Sequence, residues 1–358
     1  MASAATIPII DISADGADRA QVAKELVDAA VEYGFVYIRN ASRDITPEQI
    51  DDVFNVSKIL FASPLEDKQR CQIKKNNQGW AGVHTETLDP KTQRVGDFKE
   101  GFNFGTFDDE GKATQPIPPS IEPHQAQLAA FRRACHDLCR KLLLLFGVGL
   151  GVDPPDFFTA AHDPGLPSGS ILRLLYYPAP DGSDAAAPVS RQDGDVRAGA
   201  HSDYGSVTLL FRLRGQAGLE ILEPGTGAWA PVPVTPPGTE NDPAPPILVN
   251  IGDLLSYWTQ GLLRSTVHRV AFSGGPSSSS SVVPGESSDA PRYSVAYFCH
   301  PAEDTPLAPV PSRRVAERRP ESAATAAAAV MTAREHLAAR LRATYLQMYA
   351  HGAAGESA

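Results

Sequence analysis

The chain has 358 residues, of which 42% are hydrophobic and 21% are charged, with a formal net charge of −10. This composition predicts a folded globular protein with a substantial core. The acidic balance argues against a nucleic-acid partner, because phosphate contacts need clustered cations. The longest apolar run, residues 142–150, is too short to cross a bilayer. Residues 1–5 lack the basic and hydrophobic regions of a secretory signal. We therefore expect a cytoplasmic protein without a membrane partner.

Four cysteines, Cys71, Cys135, Cys139 and Cys299, are too few for a disulfide framework in a chain of this length. Cys135 and Cys139 stand one helical turn apart with His136 between them, which leaves two interpretations. They either hold zinc or lie buried on an amphipathic helix. The helical pattern around them favours burial, which is common for free cysteine.

Residues 1–165 are predicted to form an N-terminal region of helices and short strands that packs on the core. Gly34 is expected to end the first helix. The predicted elements are a strand at 7–12, a helix from 18 to 33, a strand at 35–38, a helix beginning at 46 and a long helix at 122–146.

Residues 72–115 lose this periodicity and are rich in glycine and aromatic side chains, among them Trp80 and Phe102. Two interpretations stay open for this segment. It is either a loose hairpin over a functional site or an ordinary surface hairpin with packed aromatics. Loops commonly carry specificity while a scaffold carries the chemistry, so the first interpretation makes Trp80 and Phe102 candidate site residues.

Residues 166–312 change to the pattern of short strands bounded by Gly, Pro, Asp and Ser, which predicts a mainly β core, a double-stranded β-helix or jelly roll. The expected strands are 170–177, 196–200, 207–211, 219–222, 247–251, 267–272 and 293–298. Two polar stretches, 231–246 and 273–290, have little apolar content and are expected to be mobile surface loops.

Residues 313–358 are predicted to contain a C-terminal helix at 322–349 and a short tail. The helix is rich in alanine and is expected to pack on the outside of the barrel. Its apolar contacts are expected to be Val330, Leu337, Leu341, Tyr345 and Met348.

His201 and Asp203 are the first candidate metal ligands. They stand two residues apart at the end of a predicted strand, so both side chains leave the same face. Of nine histidines in the chain, His268 is the one placed on another strand as a third ligand must be. Two histidines and one carboxylate leave three coordination positions open, an arrangement that suits non-haem Fe(II). Asp253 lies in a turn and is expected to be a turn former rather than a fourth ligand.

Arg292 and Ser294 form a second pair on one strand face, downstream of His268. A planar guanidinium offers two parallel hydrogen bonds to a carboxylate, and a hydroxyl can add a third. This pair therefore predicts a carboxylate-binding position in the same barrel.

The order His201-x-Asp203, His268, Arg292-x-Ser294 resembles the 2-oxoglutarate/Fe(II)-dependent dioxygenases of the isopenicillin N synthase-like family. The resemblance extends to residues 7–12 and 34–38 and spans most of the chain. The sequences of residues 172–178, 196–206 and 291–299 are similar to those of the fungal thymine 7-hydroxylases of this family.

This resemblance implies an oxidoreductase with a jelly-roll fold that uses Fe(II), with 2-oxoglutarate and dioxygen as co-substrates. His201, Asp203 and His268 are then the metal ligands and catalytic centre. Arg292 would receive the far carboxylate of 2-oxoglutarate, with Ser294 and Tyr177 as hydroxyl donors. Many plant members have asparagine where this chain has Leu175, which puts a co-substrate contact in doubt but leaves iron binding untouched.

The expected substrate is a small molecule, planar or aromatic, from fungal secondary metabolism or pyrimidine-type metabolism. Phe298 lies on the same strand face as Arg292 and Ser294, so its ring either contacts the substrate or fills the core of the barrel, and we expect the substrate contact. Trp80 and Phe102 are the candidates for the opposite wall. Hydroxylation, desaturation, oxidative cyclisation and ring expansion all stay open, as does a catalytically silent jelly-roll binding protein.

Overall fold

The computed structural model describes residues 4–13, 18–40, 43–183, 190, 195–272, 290–318 and 330–344. The helices are α1 (Arg19–Glu32), α2 (Pro47–Phe61), α3 (Leu65–Arg70), α4 (Gln125–Gly149), α5 (Phe157–Ala161), α6 (Asp253–Trp258), α7 (Arg313–Ala316) and α8 (Ala333–Thr344). A 3-10 helix at Pro119–His124 leads into α4. The strands are β1 (Ile9–Ile10), β2 (Phe35–Ile38), β3 (Gly79–Ala81), β4 (Glu100–Phe104), β5 (Ile171–Tyr177), β6 (Ala198–His201), β7 (Val207–Arg212), β8 (Leu219–Leu222), β9 (Trp229–Pro231), β10 (Ile247–Ile251), β11 (His268–Val270) and β12 (Arg292–Cys299).

Within the described residues these strands form two sheets. The larger has eight strands in the order β1-β2-β10-β7-β12-β5-β4-β3, and the smaller has four in the order β6-β11-β8-β9. Neighbours in both sheets are antiparallel except β1 and β2. Strands distant in the chain are neighbours in each sheet, which is the Greek-key pairing of a jelly roll. The predicted fold class is therefore confirmed.

The outer face of the large sheet is covered by helices. On β5, Leu172, Leu174 and Tyr176 belong to one buried apolar cluster with residues of α1, α2 and α4. The side chains of a strand alternate between its two faces, so this one-sided cluster leaves residues 171, 173, 175 and 177 for the inner face. The long helix α4 backs the sheet, as expected, since Phe131 packs edge to face on Phe211 at 5.1 Å.

The inner face of the large sheet packs against the small sheet. Apolar residues of both sheets join in a second buried cluster. Its members include Phe35, Tyr37, Leu175, Leu248, Ala198, Leu219, Ile221 and Val270. The space between the two sheets is therefore the interior of the barrel.

The proline-rich stretch 231–246 is packed, so the prediction of a mobile surface loop is wrong. Val232 and Val234 are buried, and the Arg212 guanidinium donates to the carbonyl of Val232 at 2.9 Å. A side-chain donor from the adjacent sheet satisfies the backbone here, which composition does not reveal. Of the second predicted loop, residues 273–289 lie outside the described residues.

The C-terminal helix is shorter than predicted where the structure describes it. Residues 330–332 are not helical, and α8 covers only Ala333–Thr344. Residues 319–329 and 345–358, including Tyr345 and Met348, lie outside the described part of the chain. Among the helices of the described ranges, none is long and apolar enough to cross a membrane.

Gly34 lies in the turn between α1 and β2, and it supplies a test of how this turn packs against Arg264 and Thr266. Its φ of 69° lies in the left-handed region, and an added Cβ would collide with the Arg264 carbonyl and the Thr266 hydroxyl. We expect Gly34→Ala to lower the free energy of unfolding by more than the roughly 1 to 2 kcal/mol of left-handed strain alone. Gly151→Ala is the control, because φ there is 61° with no atom within 4 Å. Equal losses in denaturant unfolding of the two variants would contradict this account.

Candidate active site

The two candidate histidine ligands are brought together by strand pairing. β6 and β11 are antiparallel, with His268 directly opposite His201. Directly opposed side chains point to the same face of the sheet, and the two ring centres lie 4.3 Å apart. Two residues 67 positions apart in sequence, 268 minus 201, thus become neighbours.

Asp203 follows β6 and turns one carboxylate oxygen towards both histidines. Its Oδ1 lies 3.8 Å from His201 Nε2 and 3.7 Å from His268 Nε2. Its Oδ2 accepts hydrogen bonds from Thr208 Oγ1 and Asn250 Nδ2, each at 2.7 Å. One oxygen is therefore held by the large sheet, and the other is directed at the space between the imidazoles.

Each imidazole is oriented by a backbone carbonyl. His201 Nδ1 donates to the carbonyl of Gly199 at 2.8 Å, and His268 Nδ1 donates to that of Thr266 at 3.1 Å. Since a carbonyl can only accept, the proton of a neutral ring is on Nδ1, and Nε2 carries the lone pair that binds metals.

The ionisation of the ligands also suits a cation. Burial and the neighbouring His268 lower the pKa of His201 to about 4, so this ring is neutral at physiological pH. Burial alone would raise the pKa of Asp203, but the two histidines and the hydrogen bonds from Asn250 and Thr208 lower it. A neutral imidazole and an ionised carboxylate are donors of the kind that a divalent transition metal needs.

Within the described residues, one group of three His, Cys, Asp or Glu side chains has its ligand atoms close enough together to hold a metal. It consists of His201, Asp203 and His268, whose ligand atoms lie within 4.8 Å of one another. Cys135, His136 and Cys139 do not form such a group there, and the four cysteines are free and buried. Asp253 stands outside the group, in line with the expectation that it is not a fourth ligand, but it begins the helix α6 and does not lie in the expected turn.

The residues expected at the co-substrate face the same cavity as the triad. Arg292, Ser294 and Tyr177 all line it. Arg292 stands opposite Tyr177 in the pairing of β12 with β5, and its guanidinium carbon lies 4.8 Å from the centre of the tyrosine ring. The structure thus brings these three side chains and the metal ligands into one cavity.

The aromatic candidates for the substrate wall divide between the two faces of the large sheet. Phe298 lines the cavity. Trp80 and Phe102 instead belong to the helix-covered outer cluster, and the Trp80 indole donates to Glu100 Oε2 at 2.7 Å. The geometry therefore contradicts the expectation that Trp80 and Phe102 form the opposite wall. The hairpin that carries them is β3 and β4, which extend the large sheet instead of lying loosely over the site.

Sequence reasoning missed a cluster of buried charges, of which Glu86, Lys99 and Arg173 line another part of the cavity. Lys99 Nζ lies 3.1 Å from Glu86 Oε2 and contacts Asp97, and Arg173 also contacts Glu86. Burial would lower the pKa of Lys99, but Asp97 and Glu86 raise it, so the amine stays protonated. Asp97 also accepts from the backbone N–H of Gly199 at 3.0 Å, which anchors β6. Two cations and two carboxylates leave this cluster without net charge.

The alternation Asp97-x-Lys99 was a weak signal for this cluster in the sequence. Glu86, however, comes from an irregular segment for which no periodic pattern predicts a facing direction. Asn250 and Thr208, which hold Asp203, were missed for a similar reason. They lie on β7 and β10 of the large sheet, and the order of the chain does not show that these strands come close to the end of β6.

The expected position of the C-terminal helix is also wrong. Leu337, Leu341 and Thr344 of α8 line the cavity, on the side of Ser202 and Tyr204. The helix therefore closes part of the cavity instead of packing on the outside of the barrel.

The fold and the site together define a non-haem iron oxygenase, and comparisons with known proteins give the same class. Residues 7–137 match the family model described as non-haem dioxygenase in morphine synthesis N-terminal. Residues 168–301 match the 2OG-Fe(II) oxygenase superfamily. The two matches follow one another along the chain, and the second contains all three candidate ligands.

Similar proteins cover most of the chain. A UPF0676 protein of Schizosaccharomyces pombe is 38% identical over 309 residues, 85% of this chain and 84% of its own length. A proline hydroxylase of Petromyces alliaceus is 32% identical over 295 residues, 78% of this chain and 82% of its own. The structure of the Neurospora crassa thymine 7-hydroxylase with α-ketoglutarate and thymine superimposes with a TM-score of 0.71 at 27% identity, covering 94% of this chain and 96% of that one. The chain belongs to the 2OG-Fe(II) oxygenase superfamily, and it is an oxidoreductase that uses Fe(II) and 2-oxoglutarate.

Substitution of the ligands tests the candidate metal centre. We expect His201→Ala, Asp203→Ala and His268→Ala each to abolish stoichiometric Fe(II) binding and turnover while the protein remains folded, because two ligands hold the ion too weakly. Anaerobic titration calorimetry with Fe(II) and circular dichroism measure the two effects. His124→Ala, a change at a partly exposed histidine bonded to Gln127, is the control and should bind Fe(II) normally. Normal binding and turnover by a triad variant would refute the assignment.

Proposed function

We propose that His201, Asp203 and His268 hold Fe(II) and that the enzyme hydroxylates a small planar or aromatic molecule bound beside them. The observation that carries this proposal is the shared cavity of the triad, Arg292 and Phe298. When bound, Fe(II) supplies the chemistry that couples dioxygen reduction to the oxidation of 2-oxoglutarate and substrate.

The residues of this chain orient the reactants. Thr208 and Asn250 fix one oxygen of Asp203, and the carbonyls of Gly199 and Thr266 fix the two imidazoles. Ligands that are held before the metal arrives leave little reorganisation for catalysis. His201, Asp203 and His268 line the cavity, so an Fe(II) ion held by them would be accessible to a 2-oxoacid.

Arg292 is proposed to bind the distal carboxylate of 2-oxoglutarate. Its side chain is 2% exposed and stands on the cavity face of β12, with Ser294 following it on the same face. A buried guanidinium gives a carboxylate a charge-assisted, bidentate partner. Tyr177, opposite Arg292 on β5, contributes its hydroxyl to the same position.

The substrate class follows from the rest of the cavity lining. Phe298, Leu210, Leu219 and Val270 contribute apolar surface. Glu86, Lys99 and Arg173 contribute polar surface, and their net charge is balanced by Asp97, which pairs with Lys99 from outside the lining. Such a lining suits a neutral flat molecule with hydrogen-bonding groups at one edge. Thymine, the ligand of the similar Neurospora structure, has this chemistry and supports the proposal.

Substrate-stimulated succinate formation tests the proposed function. The purified enzyme, Fe(II) and 2-oxoglutarate are incubated with thymine, with other neutral heterocycles and with free proline as the charged, non-planar alternative. We expect a neutral heterocycle to stimulate succinate release and to gain one oxygen atom by mass spectrometry. Stimulation by proline alone would refute the planar substrate class. Absence of succinate in all assays, with Fe(II) bound, would refute turnover.

Replacement of Arg292 tests the co-substrate position. We expect Arg292→Leu to weaken 2-oxoglutarate binding by about 3 to 5 kcal/mol, at least roughly a hundred-fold, because a buried carboxylate loses its charged partner. Calorimetry on the Fe(II)-loaded protein gives the affinity. Arg214→Leu is the control, since Arg214 is exposed and donates to the carbonyl of Asp242 outside the cavity. Unchanged 2-oxoglutarate affinity in Arg292→Leu would contradict the assignment.

Two phenylalanine substitutions separate a substrate contact from a core contact. Phe298→Ala should leave Fe(II) and 2-oxoglutarate binding intact and uncouple the reaction, so that more 2-oxoglutarate is consumed per product formed. Phe102→Ala removes a side chain with 0% exposure and should cost about 3 to 5 kcal/mol of stability without uncoupling. Thermal unfolding and the succinate-to-product ratio measure these effects. A stability loss with tight coupling in Phe298→Ala would make Phe298 a packing residue.

A further inference from the structure

The C-terminal helix α8 presents one face to the cavity. Leu337, Leu341 and Thr344 are spaced by four and three residues, so they share a face of the helix, and all three line the cavity. The approach is close at Gly169, where an added Cβ would collide with the Leu337 side chain. The helix is therefore a wall of the same cavity as the metal ligands.

Polar contacts hold this wall to the loop that carries Asp203. Arg340 forms an ion pair with Asp253 and donates to Ser202 Oγ at 3.3 Å. Its guanidinium carbon lies 5.1 Å from the ring centre of Tyr204. Ser202 and Tyr204 flank Asp203 in the chain, and the backbone N–H of Asp253 donates to the carbonyl of Asp203 at 2.6 Å.

A second contact lies at the end of the helix. The hydroxyl groups of Thr344 and Tyr204 are hydrogen bonded to each other. Apolar contacts hold α8 as well, since Leu341 joins a small cluster with Ile73 and Ala81, on which Leu337 packs. A helix of 12 residues is marginal in isolation, so the polar contacts of Arg340 and Thr344 add to the apolar contacts that hold it in place.

We propose that α8 is the substrate-contacting wall of the active site, through Leu337 and Leu341, and that Arg340 is the positioning residue that holds it there. The contact with substrate depends on the proposed function, whereas the position of the wall does not. The two apolar side chains give a flat substrate a surface at the end of the cavity where Gly169 and His300 lie, and they replace Trp80 and Phe102 as the candidates for a substrate wall.

Thiol labelling of the full-length protein tests the position of the wall without any substrate. The native cysteines are buried, so a cysteine introduced by Leu341→Cys reports on α8 alone. With N-ethylmaleimide as probe, we expect Leu341→Cys to react at least about tenfold more slowly than Arg342→Cys, at the exposed neighbouring position. Equal rates for the two variants would overturn the proposal.

The role of Arg340 is tested in the same assay. Adding Arg340→Ala should accelerate labelling of Leu341→Cys severalfold and leave that of Arg342→Cys unchanged, because only the first needs the helix to open. Arg340→Lys retains the charge opposite Asp253 and should restore part of the protection. A rate that is insensitive to Arg340→Ala, in protein with unchanged thermal unfolding, would remove the positioning role.

Turnover with a substrate from the heterocycle panel then tests the contact. Leu337→Ala and Leu341→Ala should raise the substrate KM severalfold and leave the 2-oxoglutarate affinity within about twofold of the parent. Arg342→Ala is the control. An unchanged substrate KM in both leucine variants would refute the contact. If no panel member stimulates turnover, the proposed substrate class fails, while the labelling rates still decide whether α8 is the wall.

Discussion

The antiparallel pairing of β6 with β11 is the constraint on which the active site depends. It places His268 opposite His201, so two candidate ligands distant in the chain become neighbours. The backbone carbonyls of the same two strand ends orient the rings. A metal centre built on paired strands is more precisely placed than one built on loops.

Asp203 connects the two sheets through a single carboxylate. Its Oδ1 faces the histidines of the small sheet, while its Oδ2 is held by Thr208 of β7 and Asn250 of β10. A buried carboxylate needs such partners, because removing it from water is costly. The third candidate ligand therefore links the two sheets at the candidate metal site.

The side chains that line the cavity and those that pack under the helices come from the same strands, because side chains alternate between the two faces of a strand. The inward-facing residues of β12 include Arg292 and Phe298, and those of β5 include Arg173 and Tyr177. The outward residues between them pack under the helices. The Arg292 guanidinium thus lies in the same cavity as the candidate metal ligands, whereas the Arg173 guanidinium is paired with Glu86.

Strand periodicity and ligand chemistry are local properties of the chain, and they were sufficient to predict the jelly roll, the candidate triad and the common face of Arg292, Ser294 and Phe298. The direction in which a side chain of an irregular segment points is not a local property, because it depends on which distant element the segment pairs with. Trp80 lies outside the cavity because β3 joins the large sheet with that side chain outward.

The position of α8 shows the same limit. Its apolar pattern shows that it must pack against another element, but the contacts of Arg340 with Asp253 and Ser202 join residues far apart in sequence, so the sequence does not show which element that is. The chain alone therefore specified the elements and the chemistry. The tertiary fold decided which walls enclose them, because long-range pairing selects the face that each element buries.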